Sequence, residues 1–243
     1  MQTGCIFLRG MVPYTNPNVK HASAMRHNIC GILCDCKSPL CAKRLGDSRS
    51  VSYNTPMPIS PSDKRYKLCC QLQDYARRHP ERRSEAERIL RFVESTSDCF
   101  ERSHESGHIT GSAWLLNPDG TKALLTLHRK LGLWLQPGGH ADGQTDTLQV
   151  ALREAEEESG IAGIEPISAE IYDVDVHRIP PHPASGAPEH LHYDVRYLLR
   201  APHENYRISH ESKALAWFTP EELHHLTPPT DESVLRLAGL CRR

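Results

Sequence analysis

No run of apolar residues in this 243-residue chain is long enough to cross a bilayer as a helix. The opening residues, MQTGCIFLRGMVPYT, lack the apolar stretch of a secretory signal. An excess of charge is missing too: 29 Lys and Arg stand against 30 Asp and Glu, for a net charge of −1. Composition therefore carries no electrostatic sign of a nucleic-acid or membrane partner. Nine cysteines are present, five of them in the first 41 residues, yet the paired C-x2-C turns of common zinc modules are absent. Cys30, Cys34, Cys36 and Cys41 follow C-x3-C-x-C-x4-C, which matches no common zinc pattern. These absences predict a cytoplasmic protein with reduced thiols. Residues 1–62 also lack any helical or strand period. That segment is expected to be disordered, or to fall outside the working protein if translation starts at Met57.

The most organised stretch is Pro137 to Ile161, PGGHADGQTDTLQVALREAEEESGI. It reads as a glycine-rich turn, a capped helix and a glycine stop. Asp146 is the expected N-cap, Gln149 the second half of a capping box, and Gly160 the left-handed residue that ends the helix. At about 100° per residue, Glu154, Glu157 and Glu158 share one face. Leu148, Ala151, Leu152 and Ala155 fall roughly 120° away, facing a core. Three like charges on one face repel unless something neutralises them. A hard divalent cation such as Mg²⁺ does so through oxygen ligands while keeping several waters, and its natural companion is a phosphate-bearing substrate. A merely solvated acidic face is the usual meaning of a charge run. The Gly138-Gly139 turn shifts the balance, because its backbone can approach the acids closely and offer carbonyls to a metal.

The stretch resembles the signature of the Nudix hydrolases, Gly-x5-Glu-x7-Arg-Glu-U-x-Glu-Glu-x-Gly-U, with U aliphatic. Gly139 takes the first place, and Arg153, Glu154, Ala155, Glu157, Glu158, Gly160 and Ile161 take the later ones. The first Glu is Thr145 here. In the family that Glu chiefly supports the loop–helix geometry, so the metal-binding acids are untouched. The resemblance implies an α/β Nudix fold, a mixed β-sheet sandwiched between helices. It implies hydrolysis of a diphosphate bond in a nucleoside diphosphate linked to another group. Mg²⁺, or Mn²⁺ in its place, would be held by Glu154, Glu157, Glu158 and the Gly138 carbonyl. Glu154 or an acid from another loop would act as general base, with Glu157 also assigned a catalytic part. Arg153 would orient a signature Glu through a salt bridge. The implied partner is a small nucleotide-type molecule, and a homodimer is compatible with this reading. Two rivals stand beside it: a Nudix-derived module that senses a nucleotide without cleaving it, and an isomerase of the isopentenyl diphosphate type. The isomerase chemistry usually wants an active-site Cys, and only Cys99 lies inside the domain before its tail.

Around this stretch the chain divides into residues 1–62, a helical hairpin extension over 63–97 and a Nudix domain over 98–243. In the hairpin, Tyr66, Cys69, Cys70, Leu72 and Tyr75 make an apolar stripe. Ser84 with Glu87 reads as a capping box ahead of Ile89, Leu90, Phe92 and Val93. Such a hairpin is too small to fold alone and should pack on the domain C-terminal to it. GHITGSAWLLNPDGTKALLTLHRK reads as two strands around Asn117-Pro118-Asp119-Gly120. Trp134 is expected in the core.

Beyond the acidic helix, Ile171–Ile179 and Leu191–Leu199 alternate cleanly. Asp173, Asp175 and His177 share one face of the first strand, and His192, Asp194 and Arg196 one face of the second. The two are expected to pair as a hairpin whose charged face meets substrate, through Asp173, His177, His192, Asp194 and Arg196. His190 and His192 could instead chelate a transition metal. The long Pro-rich connection Pro180–His190 reads as a substrate lid. A strand to Phe218 comes next, with Glu211 at the place before it where family members often carry an acid. Thr219-Pro220 is expected to open a helix, and a last helix is expected over Thr230–Leu240.

Overall fold

The computed structural model describes residues 59–129, 131–181, 186–208 and 212–241. The expectations for residues 1–58, including the cysteine spacing and Met57, lie outside the described residues, as do Glu211 and the middle of the Pro-rich connection.

Two helices come first, α1 (Tyr66–Arg78) and α2 (Arg83–Ser95). Helical spacing sets Leu68, Cys69, Leu72, Tyr75 and Ala76 on one stripe of α1 and Ala86, Ile89, Phe92 and Val93 on one stripe of α2, and all of these are buried. The stripes join the core of the sheet: Phe92 stacks on Tyr193 with ring centroids 3.9 Å apart. Ile59 packs on the same core, so the chain is engaged ahead of the expected boundary at 62. The capping box at Ser84 does not form. A 3₁₀ turn over Pro80–Arg82 runs straight into α2, which places Ser84 inside the helix, where its side chain has no helix start to cap.

The strands are β1 (Gly107–Leu116), β2 (Ala123–His128), β3 (Trp134–Leu135) and β4 (Gly138–His140), then β5 (Glu165–Pro166), β6 (Asp173–Ile179), β7 (His190–Arg200) and β8 (Ser212–Phe218). Between β4 and β5 runs α3 (Thr147–Ser159), and α4 (Glu232–Leu240) closes the fold. The sheet is mixed. β1 and β7 pair in parallel over ten residues at its centre, from Gly107↔Leu191 to Leu116↔Arg200. β2 and β4 share the other edge of β1, β5 and β6 the other edge of β7, and β8 pairs with β2, all antiparallel.

One face of the sheet carries Ile109, Ala113, Leu115, Tyr193, Val195 and Tyr197, packed with α1, α2 and α3. The other carries Trp114, Leu116 and Leu125, packed with Val234, Leu237 and Ala238 of α4. Helices therefore cover both faces, as expected of the Nudix fold. Trp134 is core, edge-on to Phe218. No helix of the described residues is long and apolar enough to cross a membrane.

Local chemistry departs from expectation at three points. The two-residue strand β5 has too little sequence to show a period and was not foreseen. Thr219-Pro220 leads only into a 3₁₀ turn over Glu222–His225, with the Glu222 carboxylate accepting from the Thr219 N–H at 2.7 Å. The last helix starts after an Asp231 cap, whose carboxylate accepts from Val234 N–H at 3.0 Å.

Candidate active site and its polar sheet face

Helix α3 is held at both ends. Asp146 accepts from the Leu148 N–H at 3.3 Å, and Gly160 takes the left-handed conformation at φ 66°. The reciprocal half of the cap comes from Gln144, which accepts from the Asp146 N–H at 3.2 Å, and not from Gln149. Val150, Ala151 and Ala155 are fully buried against the sheet, while Leu148 and Leu152 are partly so. The helix can come this close because Gly111 on β1 has no side chain: a Cβ there would meet the Thr147 carbonyl and Val150 at 2.8 Å.

That approach brings the acidic face onto β4. The Gly138 N–H donates to the Glu158 carboxylate at 3.0 Å. A Cβ on Gly138 would collide with Ser112, and one on Gly139 would collide with the carboxylate of Glu154. Arg153 ties the two pieces together, donating to the His140 carbonyl at 2.8 Å and to Glu154 at 2.6 Å. Glu157 is exposed, and Glu154 and Glu158 are partly buried. This is an oxygen-rich, negatively charged cradle with backbone carbonyls beside it, the donor set that a hard cation with retained waters accepts.

The β6–β7 hairpin forms as expected, in the register Asp173↔Arg196, Asp175↔Asp194 and His177↔His192. Its charged face is not open. Arg196 is 1 % exposed and donates to Asp194 at 2.8 Å, to Asp173 at 3.3 Å and to Ser233 of α4 at 3.0 Å. Arg236 of α4 adds bonds to Asp173 and Asp175 at 2.9 and 2.8 Å. Thr110 and Ser112 of β1 donate to Asp194 at 2.9 and 2.8 Å. Asp173, Asp194 and Arg196, expected at the substrate, thus form a closed ion network, because α4 lies over that end of the hairpin. Burial alone would push the Asp175 carboxyl up. The His177 hydrogen bond, Arg196 and Arg236 outweigh it and hold the group below the usual range.

At the uncovered end the face turns to histidine. His177, with its side chain 41 % exposed, pairs with Asp175 at 3.1 Å. Burial would lower its pKa, but Asp175 and Asp194 raise it on balance. His192 lies beside His177, and His108 and His140 stand within 5.0 Å of it, centroid to centroid. Sequence reasoning missed His108, His140 and Arg236. The period-2 run His108, Thr110, Ser112 was the one local signal for the first of these.

A NUDIX domain model matches residues 108–238, more than half of the sequence, and the chain belongs to the Nudix family. Among solved structures, a Nudix-family hydrolase from Clostridium perfringens is 23% identical over 56% of this chain and 96% of its own, with a TM-score of 0.40. An Ap4A hydrolase from C. elegans is 18% identical over 54% of this chain and 93% of its own, with a TM-score of 0.41. An ADP-ribose pyrophosphatase from Streptococcus suis is 21% identical over 55% and 87%, with a TM-score of 0.39. No curated protein matches the chain.

Proposed function

We propose that the chain hydrolyses a diphosphate bond in a nucleoside diphosphate linked to another group. The observation that carries this reading is the seating of the Gly138-Gly139 turn on Glu154 and Glu158. Glu154, Glu157, Glu158 and the Gly138 carbonyl would hold Mg²⁺, or Mn²⁺ in its place. The bound cation would offset charge on the diphosphate and lower the pKa of a bound water. Arg153 holds Glu154 aimed at the turn through the 2.6 Å contact. Glu154 or an acid from another loop would take the proton of the attacking water. His177 is the residue of the hairpin's charged face that can reach a substrate, and its raised pKa favours a cation opposite phosphate oxygens.

The rival isomerase reading gains no support from Cys99. That thiol is fully buried, and burial pushes its pKa up to about 12. A sensing module without catalysis is separated from a hydrolase by turnover alone. The experiment is a Mg²⁺-dependent screen of nucleoside diphosphate derivatives with phosphate-release detection. Turnover that needs the metal and is lost in Glu157→Gln supports the reading. Absence of turnover on every derivative, with either Mg²⁺ or Mn²⁺, overturns it.

A further inference from the structure

The parallel register of β1 and β7 places His108 directly opposite His192, and His190 lies two residues before His192 on the same face. The three rings stand 4.9 to 5.2 Å apart, centroid to centroid, and one nitrogen of each lies within 4.8 Å of the others. His108 is only 3 % exposed, and neither of its ring nitrogens has a hydrogen-bond partner. Nε2 of His192 is likewise buried and unpartnered. Buried polar atoms normally find partners, so orphaned imidazole nitrogens on two neighbouring histidines need an explanation. His190 adds a second sign. Its Nδ1 is 2.9 Å from the Pro188 carbonyl. A carbonyl only accepts, so Nδ1 carries the proton and Nε2 keeps a lone pair. This is the outer hydrogen bond that metal-ligating histidines habitually make.

We propose that His108, His190 and His192 form a second metal site that takes a borderline divalent cation of the zinc class, separate from the oxygen cradle on α3. Three imidazoles match the donor set of such an ion and suit Mg²⁺ poorly. Nitrogens on one zinc at about 2.0–2.1 Å stand roughly 3.3 Å from each other. From separations of up to 4.8 Å, partly exposed His190 can approach by rotating about its own side-chain bonds. Three protein ligands leave a fourth position. The ring of His140 lies 4.9 Å from that of His108, and its strand also supplies the Gly138-Gly139 turn. The site therefore adjoins the cradle without sharing its acids.

The test is zinc stoichiometry of the untagged full chain after chelator treatment, measured in excess Mg²⁺ by competition with a chromophoric indicator, beside His190→Gln and Glu156→Gln. The expected result is one equivalent fewer for His190→Gln than for the parent, with Glu156→Gln unchanged. Cobalt in place of zinc should give a four-coordinate visible spectrum without thiolate charge transfer, a readout taken on the parent chain that stands even if a variant fails to fold. The proposal is overturned if His190→Gln binds as many equivalents as the parent, if the parent binds none, if Glu156→Gln loses the equivalent, or if the cobalt spectrum in excess Mg²⁺ is octahedral or shows thiolate ligation.

Discussion

Replacing Gly139 with alanine should separate the cradle's geometry from its composition, because it leaves every acid in place. The φ angle of Gly139 lies outside the left-handed region, so the backbone accepts a side chain and the effect is purely one of space. The new methyl would stand 2.7 Å from one carboxylate oxygen of Glu154 and closer to the other, where ordinary contact begins near 3.4 Å. The carboxylate must therefore retreat by about 1 Å, and a misplacement of that size costs about a hundredfold in rate. That corresponds to about 2.7 kcal/mol of transition-state stabilisation. Because Glu154 is a flexible side chain that can yield, stability should change by less than about 1 kcal/mol. Gly239→Ala serves as the control, since a Cβ there meets nothing within 4 Å. It should leave turnover alone and stabilise α4 by roughly 0.5–1 kcal/mol. The assay is kcat and KM in Mg²⁺ on a substrate from the screen, with a circular dichroism melt of each variant. Turnover of Gly139→Ala within about threefold of the parent would refute the claim that the turn positions Glu154.

Three further outcomes are expected. Glu157→Gln and Glu158→Gln should each lower kcat about a hundredfold or more, whereas Glu156→Gln should be nearly silent, since its oxygen can still accept from the Gly163 N–H; steady-state kinetics decides. Arg196→Leu strands buried carboxylates and should destabilise the fold by about 3–5 kcal/mol, seen as a collapse in Tm; an unchanged Tm with a raised KM would instead return Arg196 to the substrate. Burial raises the thiol of Cys69 to about 11 and that of Cys99 to about 12, so both should resist iodoacetamide near pH 8 until the chain unfolds, while exposed Cys241 reacts, as peptide mass spectrometry would show. A thiol whose folded pKa lies above its unfolded value, about 8.5, stabilises fully below that value. Stability should accordingly fall as pH rises through the window from there toward 12.

The acidic helix was legible because its caps, its period and its glycine stop are all written within 25 residues of one another. The pairing of β6 with β7 was legible too: two alternating strands show which residues share a face. Alternation does not say what covers that face. Arg236, 40 residues beyond Arg196 in the chain, carries no local sign that it will close over Asp173 and Asp175. The histidine cluster was hidden by a similar gap. His108 and His192 become neighbours only through the parallel pairing of β1 and β7, and no short-range pattern announces which distant strand will lie alongside. Ser84 shows the opposite error, a correct capping sequence overridden because the chain entered the helix two residues earlier.

The ten-residue pairing of β1 with β7 also bears on how this strand can change length. Side chains alternate with a strict period of two, so a single added or deleted residue near Ile109 would rotate everything beyond it to the opposite side. Thr110 and Ser112 would leave Asp194, and small or apolar neighbours would take their places beneath α4. The same shift would move Gly111 out from under Val150, so α3 would meet a side chain where it now meets bare backbone. In β1 the chain is confined to exchanging one residue for another, and a deletion scan across residues 105–118 would trace that confinement directly.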